Sequence, residues 1–324
     1  MRWSREFRIA RRSLRTAIKV ASAGAAVRAK LPVSLRSPSW PTPVLPHPGL
    51  VEIPRFGSNP GRLTMLAHLP REPLIPHRPL IVLLHGCGQP AARFAHDTGW
   101  VDLAGRLGIP LVLPEQSGEN NRARCFNWFL PAHSSRGHGE ALSIREMVAT
   151  AIERFASDPT RVFVAGLSAG GAIAAALLAA YPDVFAGGAA VAGLPVGAAH
   201  SMTEALRRMA EAGPDRSPAA WAEQVRQAAP AGYSGPWPKL SIWRGGADTV
   251  VDPANSGLLA MQWSALHGLD ATATETMELL GIRRDRWDAA GETVVEQWTL
   301  PGVGHEWPLG AAESIVDFWN IAAD

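Results

Sequence analysis

The chain has 324 residues, 47% hydrophobic and 19% charged, with a net charge of +2. That length suits one large α/β domain with appendages, or two domains at most, and no apolar run approaches the ~18 residues of a membrane-spanning helix. Nine Lys/Arg against Glu6 put +8 on residues 1–30 and leave the rest at −6, a distribution that argues against a nucleic-acid-binding core.

Residues 1–30 mix arginines with Leu, Ile, Ala and Val in a pattern compatible with a basic amphipathic helix. Three readings stay open for this tail: a solvated extension, attachment to a polymer granule or anionic surface through the basic face, or an export signal. Arg11-Arg12 precede an apolar stretch from Leu14 to Val27, which Lys19 interrupts. Residues 31–54 are rich in proline (Pro32, Pro38, Pro41, Pro43, Pro46, Pro48) and read as a linker. The folded body, one α/β domain, is expected over residues 55–324.

Leu50 to Ile53 and Leu63 to Leu69 read as a strand pair. Pro79 to Leu84 is a continuous apolar run, as in a central strand buried on both faces, and it ends in His85-Gly86-Cys87-Gly88-Gln89. A helix near Gly99 to Leu107, a strand over Ile109 to Leu113, a polar loop and a helix from about Ser143 to Phe155 follow. Arg161 to Ala165 reads as a short buried strand and Ala172 to Ala180 as a tightly packed helix. After a strand at Gly187 to Ala192, residues 194–237 interrupt the alternation and are expected to form a cap or insertion. Lys239 to Trp243 is the next strand, Met261 to Leu266 lies on a helix, and Thr293 to Leu300 is the last strand. Alternation of this length implies an α/β fold with a mostly parallel, doubly wound sheet.

Between the strand at 161–165 and the helix at 172–180 stands Gly166-Leu167-Ser168-Ala169-Gly170-Gly171. Strand, G-x-S-x-G, helix is the context of a nucleophile elbow. A serine hydroxyl is a weak nucleophile and needs a base to take its proton. In hydrolases of this architecture the partners follow in the order Ser, Asp or Glu, His. Asp248, on the loop after the strand 239–243, is the candidate acid, with Asp252 as its rival. His305, in Pro301-Gly302-Val303-Gly304-His305 after the last strand, is the candidate base. The oxyanion hole is expected from the backbone amides of Ala169 and Cys87, and His85 is expected to be structural. Neither H-E-x-x-H nor a P-loop occurs, so no metal and no nucleotide is implied.

At these residues the chain resembles the poly(3-hydroxybutyrate) depolymerase family of esterases in the α/β-hydrolase superfamily. The likeness extends over roughly residues 80–310, through Leu84 to Gln89, Thr98-Gly99-Trp100, Pro114-Glu115-Gln116, Cys125-Phe126-Asn127-Trp128-Phe129, Arg136-Gly137-His138-Gly139-Glu140, Gly166 to Gly171 and Tyr181-Pro182-Asp183-Val184-Phe185. It implies cofactor-free ester hydrolysis by Ser168, Asp248 and His305 on 3-hydroxyalkanoate oligomers or polymer, and an extracellular setting, with an intracellular, granule-associated one as the alternative. Related esterases act on acetyl or feruloyl groups of plant polysaccharides. Two departures stand out. The strand before the acid ends in Arg244-Gly245 where such enzymes usually have His-Gly. No polymer-binding module or Ser/Thr-rich linker follows the catalytic segment, which shifts the expectation toward soluble oligomers or an amorphous surface.

Trp128 and Trp307 are expected near the active edge as apolar walls, and Gln116 and Asn127 as groups that orient a substrate carbonyl or hydroxyl. The only two cysteines, Cys87 and Cys125, both fall in matched blocks; a disulfide between them and a pair of free thiols both remain open. Three other functions compete with the depolymerase-type esterase. A carbohydrate esterase would use the same mechanism with a different pocket. A serine peptidase of the prolyl-oligopeptidase type would need a propeller that residues 1–78 are too few to form. A non-catalytic hydrolase-fold binding protein would be expected to lack a member of the Ser, Asp, His set.

Overall fold

The computed structural model describes residues 49–70 and 75–321. The basic tail and all but the last few residues of the proline-rich linker lie outside the described residues.

Ten strands form one sheet: β1 (Leu50–Glu52), β2 (Thr64–His68), β3 (Leu80–Leu84), β4 (Leu111–Glu115), β5 (Val162–Leu167), β6 (Gly187–Val191), β7 (Lys239–Gly245), β8 (Glu275–Leu279), β9 (Ile282–Ala289) and β10 (Glu292–Leu300). Their spatial order is β1-β2-β4-β3-β5-β6-β7-β10-β9-β8. From β4 to β10 neighbouring strands are parallel, while β1, β2, β8 and β9 extend the two sides antiparallel.

Side chains alternate across this sheet. Val82 and Leu84 of β3 and Val164 of β5 face one core, shared with α4 (Gly139–Phe155), α5 (Ala169–Ala180), α7 (Pro218–Ala228) and α8 (Ala254–Leu266). Ile81, Leu83 and Phe163 face the other, shared with α1 (Ala91–Asp97), α2 (Trp100–Leu107) and α9 (Ala311–Phe318). Helix α5 is buried at every position and almost wholly Ala and Gly, which lets it lie close against β5 and β6. At ~25 cal/mol per Å² of apolar surface removed from water, these two cores are the main favourable term in folding.

Segment 194–237 carries α6 (Met202–Ala210) and α7. Trp221, Ala222 and Val225 of α7 are buried, Ala222 and Val225 within the first core, and the Gln262 Nε2 of α8 donates to the Trp221 carbonyl at 3.0 Å. A short helix, α3 (Pro131–Ser134), precedes α4.

Several elements differ from the sequence expectation. The strand expected at 109–113 runs two residues later, through Pro114, because it pairs antiparallel with β2 in the register Met65↔Pro114. Helix α4 starts at Gly139, a full turn before Ser143. The β8–β9 pair was not expected at all. Strand β9 reads Ile282-Arg283-Arg284-Asp285-Arg286-Trp287-Asp288-Ala289, with no apolar alternation to find. Its charges pair within the sheet: Arg284 with the buried Glu296 of β10 at 2.7 Å, and Arg286 with Glu275 of β8.

Candidate active site

Strands β5, β7 and β10 run parallel, so the loops after all three emerge at one edge of the sheet. Those loops carry Ser168, Asp248 and His305.

Ser168 follows β5 directly with φ 58° and ψ −119°, a strained conformation for a residue with a side chain. It is held there by its own amide, which donates to the Val191 carbonyl of β6 at 2.8 Å. Flanking glycines make the turn possible: a Cβ on Gly166 would stand 2.2 Å from the Gly170 carbonyl oxygen. The helix that follows begins at Ala169, whose amide is one of the unpaired donors of a helix N-terminus.

Asp248 and His305 are joined by a 2.7 Å hydrogen bond between Asp248 Oδ2 and His305 Nδ1. Their loops are laced together, with Gly246 N donating to the Leu300 carbonyl at 2.8 Å and Ala247 N to the Val303 carbonyl at 3.0 Å. Gly245 permits this approach, since a Cβ there would lie 2.2 Å from the Val303 oxygen. The other carboxylate oxygen of Asp248 accepts from the Val250 and Val251 amides at 2.8 and 3.0 Å. The Asp248 carboxylate is therefore fixed from both sides. Asp252, the rival acid, is engaged elsewhere: it accepts from Ala254 N at the start of α8 and from Ala212 N. Arg244 reaches Thr299 Oγ1 on β10 at 2.9 Å and the Pro253 carbonyl at 3.4 Å.

The loop after β3 is closed on itself and pinned from outside. Gly86 N donates to Gln89 Oε1 at 2.8 Å. His85 is fully buried; its Nδ1 donates to the Gly86 carbonyl at 2.8 Å and its Nε2 accepts from Gln116 N at 3.1 Å. Burial lowers its pKa to about 4, so it is a neutral imidazole bridging two strand ends. Cys87 and Cys125 form a disulfide, which closes the choice that the sequence left open.

Gln116 and Asn127 are placed differently from expectation. Both are buried, and both turn their amide groups onto Glu140 of α4. Glu140 Oε1 accepts from Gln116 Nε2 and Asn127 Nδ2, each at 2.6 Å, and Oε2 from Asn127 N at 2.8 Å. Their carbonyl oxygens are also taken, Gln116 Oε1 by Asn120 Nδ2 and Asn127 Oδ1 by Asn121 Nδ2. This corrects their reading as groups that orient substrate: no polar atom of either side chain lacks a protein partner. Burial pushes the Glu140 carboxyl above its ordinary range, against the opposing pull of Asn127, His133 and Gln116. Glu140 escaped the sequence reading, although it ends the block Arg136 to Glu140. That block is itself clamped to the one at 181–185, by the paired bonds of Arg136 to Asp183 at 2.6 and 2.9 Å and by the Arg136 guanidinium over the Tyr181 ring.

The two tryptophans fall on opposite faces. Trp128 is nearly buried, with its ring at right angles to Phe129 in the first core. Trp307, half-buried two residues after His305, meets Phe94 and Trp100 edge to face in the second.

A ten-stranded, mostly parallel sheet with a serine on a strained strand–helix turn, and an Asp–His pair on later strand ends, defines the α/β-hydrolase fold. The sequence profile of the family described as esterase PHB depolymerase matches residues 63–282, and the chain belongs to that family of esterases. It is 42% identical over 261 residues to the poly(3-hydroxyalkanoate) depolymerase C of Paucimonas lemoignei, with 80% of this chain and 62% of that protein covered. The chain thus spans under two thirds of that relative's length. An acetylxylan esterase of Coprinopsis cinerea is 32% identical over 295 residues, covering 87% of this chain and 75% of the relative. Among solved structures, the acetyl xylan esterase of Aspergillus awamori superposes with a TM-score of 0.76 at 24% identity, over 84% of this chain and 99% of its own.

Proposed function

We propose that the chain is a serine carboxylesterase that hydrolyses 3-hydroxybutyrate oligomers or polyhydroxyalkanoate through an acyl-enzyme. The observation that carries this reading is the 2.7 Å Asp248–His305 hydrogen bond, on loops that share one sheet edge with the strained Ser168. With Nδ1 of His305 donating to Asp248, Nε2 is the free base. It takes the Ser168 proton as Oγ attacks the ester carbonyl, then gives that proton to the departing alcohol. Asp248 holds the tautomer and stabilises the imidazolium. The amides of Ala169 and Cys87 receive the negative oxygen of the tetrahedral intermediate. A water, deprotonated by His305, then cleaves the acyl-enzyme by the same steps in reverse.

The hydroxyalkanoate substrate is supported by the relative at 42% identity that is named for it. The relative named as an acetylxylan esterase supports the second reading, in which the acyl group is removed from a carbohydrate by the same residues. Wild type and Ser168→Ala are to be assayed side by side on 4-nitrophenyl butyrate, 3-hydroxybutyrate oligomers, acetylated xylan and methyl ferulate. Serine-dependent oligomer cleavage is the expected result. Turnover confined to the carbohydrate esters would replace the first reading with the second, and turnover that survives in Ser168→Ala would remove both.

A further inference from the structure

Glu140 is a carboxyl with no solvent exposure, placed where an apolar residue would be easier to bury. Three N–H donors converge on it, two of them at the 2.6 Å of short, charge-assisted bonds. Its start-of-helix position depends on Gly139, at φ 47°, where a Cβ would stand 2.3 Å from the Ala132 carbonyl oxygen. The same turn sets His133 Nδ1 3.5 Å from Glu140 Oε1.

From its donors, two routes lead to the same peptide unit. Gln116, bonded to Glu140 by its side chain, uses its backbone N–H to hold His85 Nε2. His85 Nδ1 in turn holds the carbonyl of Gly86. That carbonyl and the amide of Cys87 belong to one planar trans peptide, so fixing the oxygen aims the N–H in the opposite direction. The second route is covalent. Asn127, bonded to Glu140 twice, lies two residues from Cys125, which is joined to Cys87.

We propose that Glu140 is a positioning residue for the oxyanion hole, which sets the direction of the Cys87 amide through Gln116–His85 and through Asn127–Cys125. The inference rests on the reading of that amide as an oxyanion donor. Such a donor acts on the charge that develops in the transition state and little on the bound ester. A small misdirection of a reacting group lowers the rate by up to about 10²-fold.

The test uses the full, disulfide-intact chain with Glu140→Gln, which keeps the volume but replaces one acceptor by an N–H₂ group that faces either two of the three donors or the third. For 4-nitrophenyl butyrate, kcat is expected to fall about 10- to 100-fold with KM within about twofold. Inhibition by an alkyl trifluoromethyl ketone, whose serine adduct carries the oxyanion, is expected to weaken by the same factor. Inhibition by butyrate, which makes no such adduct, stays unchanged. Asn127→Ala, which keeps the backbone bond to Glu140, should show the same split at smaller size, and it carries the test if Glu140→Gln does not fold. A folded variant with unchanged kcat and ketone affinity would overturn the proposal. So would parallel losses of ketone and butyrate binding, which mark a collapsed pocket. Failure of the serine-esterase reading itself looks different: the ketone would then not inhibit the wild type.

Discussion

The α-carbon of Gly170 sits against the end of β3, such that a methyl group there would stand 2.1 Å from the Leu84 carbonyl oxygen and 2.7 Å from that of His85. Helix α5 therefore starts in contact with the strand that leads into the 85–89 loop, and the amides of Ala169 and Cys87 issue from adjoining chain ends. The Leu84 carbonyl cannot retreat freely, because β3 is paired along its length with β5, Leu84 opposite Gly166. Gly170→Ala should destabilise the fold by about 3 kcal/mol, the upper part of the range for overpacking. It should also lower kcat more than it raises KM. Urea midpoints and steady-state kinetics on the soluble variant check both; a variant of wild-type stability would mean that the elbow has slack.

The two aspartates after β7 separate by what they hold. Asp248 faces His305 and two backbone amides, whereas Asp252 holds the start of α8 and the amide of Ala212. Asp248→Asn should reduce kcat about 10⁴-fold, by favouring the wrong imidazole tautomer. Asp252→Ala should leave kcat within about twofold and cost about 1 kcal/mol of stability as a lost cap. The reverse pattern would transfer the acid's role to Asp252.

Much of this edge was legible because its geometry requires particular residues. Gly166, Gly170 and Gly245 each stand where a Cβ would meet a backbone oxygen, so the glycines that the fold needs are also the ones that flag Ser168 and the acid loop. Glu140 was not legible in that way. A Glu in the first turn of a helix is ordinary in a sequence, and nothing in Gln116 or Asn127 says whether an amide faces solvent or a buried carboxyl. The sign of that choice depends on the 116–127 loop folding over α4, contacts 13 and 24 residues apart in the chain that neither helical nor strand periodicity registers. Strand β9 was hidden for a related reason: its charged pattern is stabilised by partners on β8 and β10 that local periodicity does not see.

His85 gives the protein an acid-sensitive component of stability. Its pKa is lowered by burial to about 4 in the folded state, while in the unfolded chain it returns to the ordinary histidine value of about 6.5. Between these values the unfolded chain binds a proton that the folded one does not, so stability rises with pH across this window. The contribution is complete above pH ~6.5 and is lost progressively down to pH ~4, by an amount on the order of 3 kcal/mol. His267, also lowered by burial, acts in the same direction. Denaturant unfolding of wild type and His85→Gln from pH 7 to 4.5 should show a steeper decline in the wild type. Parallel profiles would mean that His85 takes up its proton at the same pH in the folded and the unfolded chain.

The Cys87–Cys125 disulfide closes a loop across 38 positions, with the exposed Cys87 open to a reductant. The chain-entropy account assigns a crosslink of that length about 4 kcal/mol of stability. Reduction should therefore lower the melting temperature clearly, since about 1 kcal/mol corresponds to a few degrees in a domain of this size. Its kinetic effect should be separable from unfolding. At a temperature where the reduced protein is still folded by circular dichroism, kcat should fall while KM for a short ester holds, because the hydrogen bonds of His85 and Gln89 keep the loop in place but no longer lock it. Cys87→Ala/Cys125→Ala should reproduce the reduced enzyme, and dithiothreitol should have no further effect on it. Equal kcat in the reduced and oxidised forms would show that the hydrogen bonds alone hold the loop.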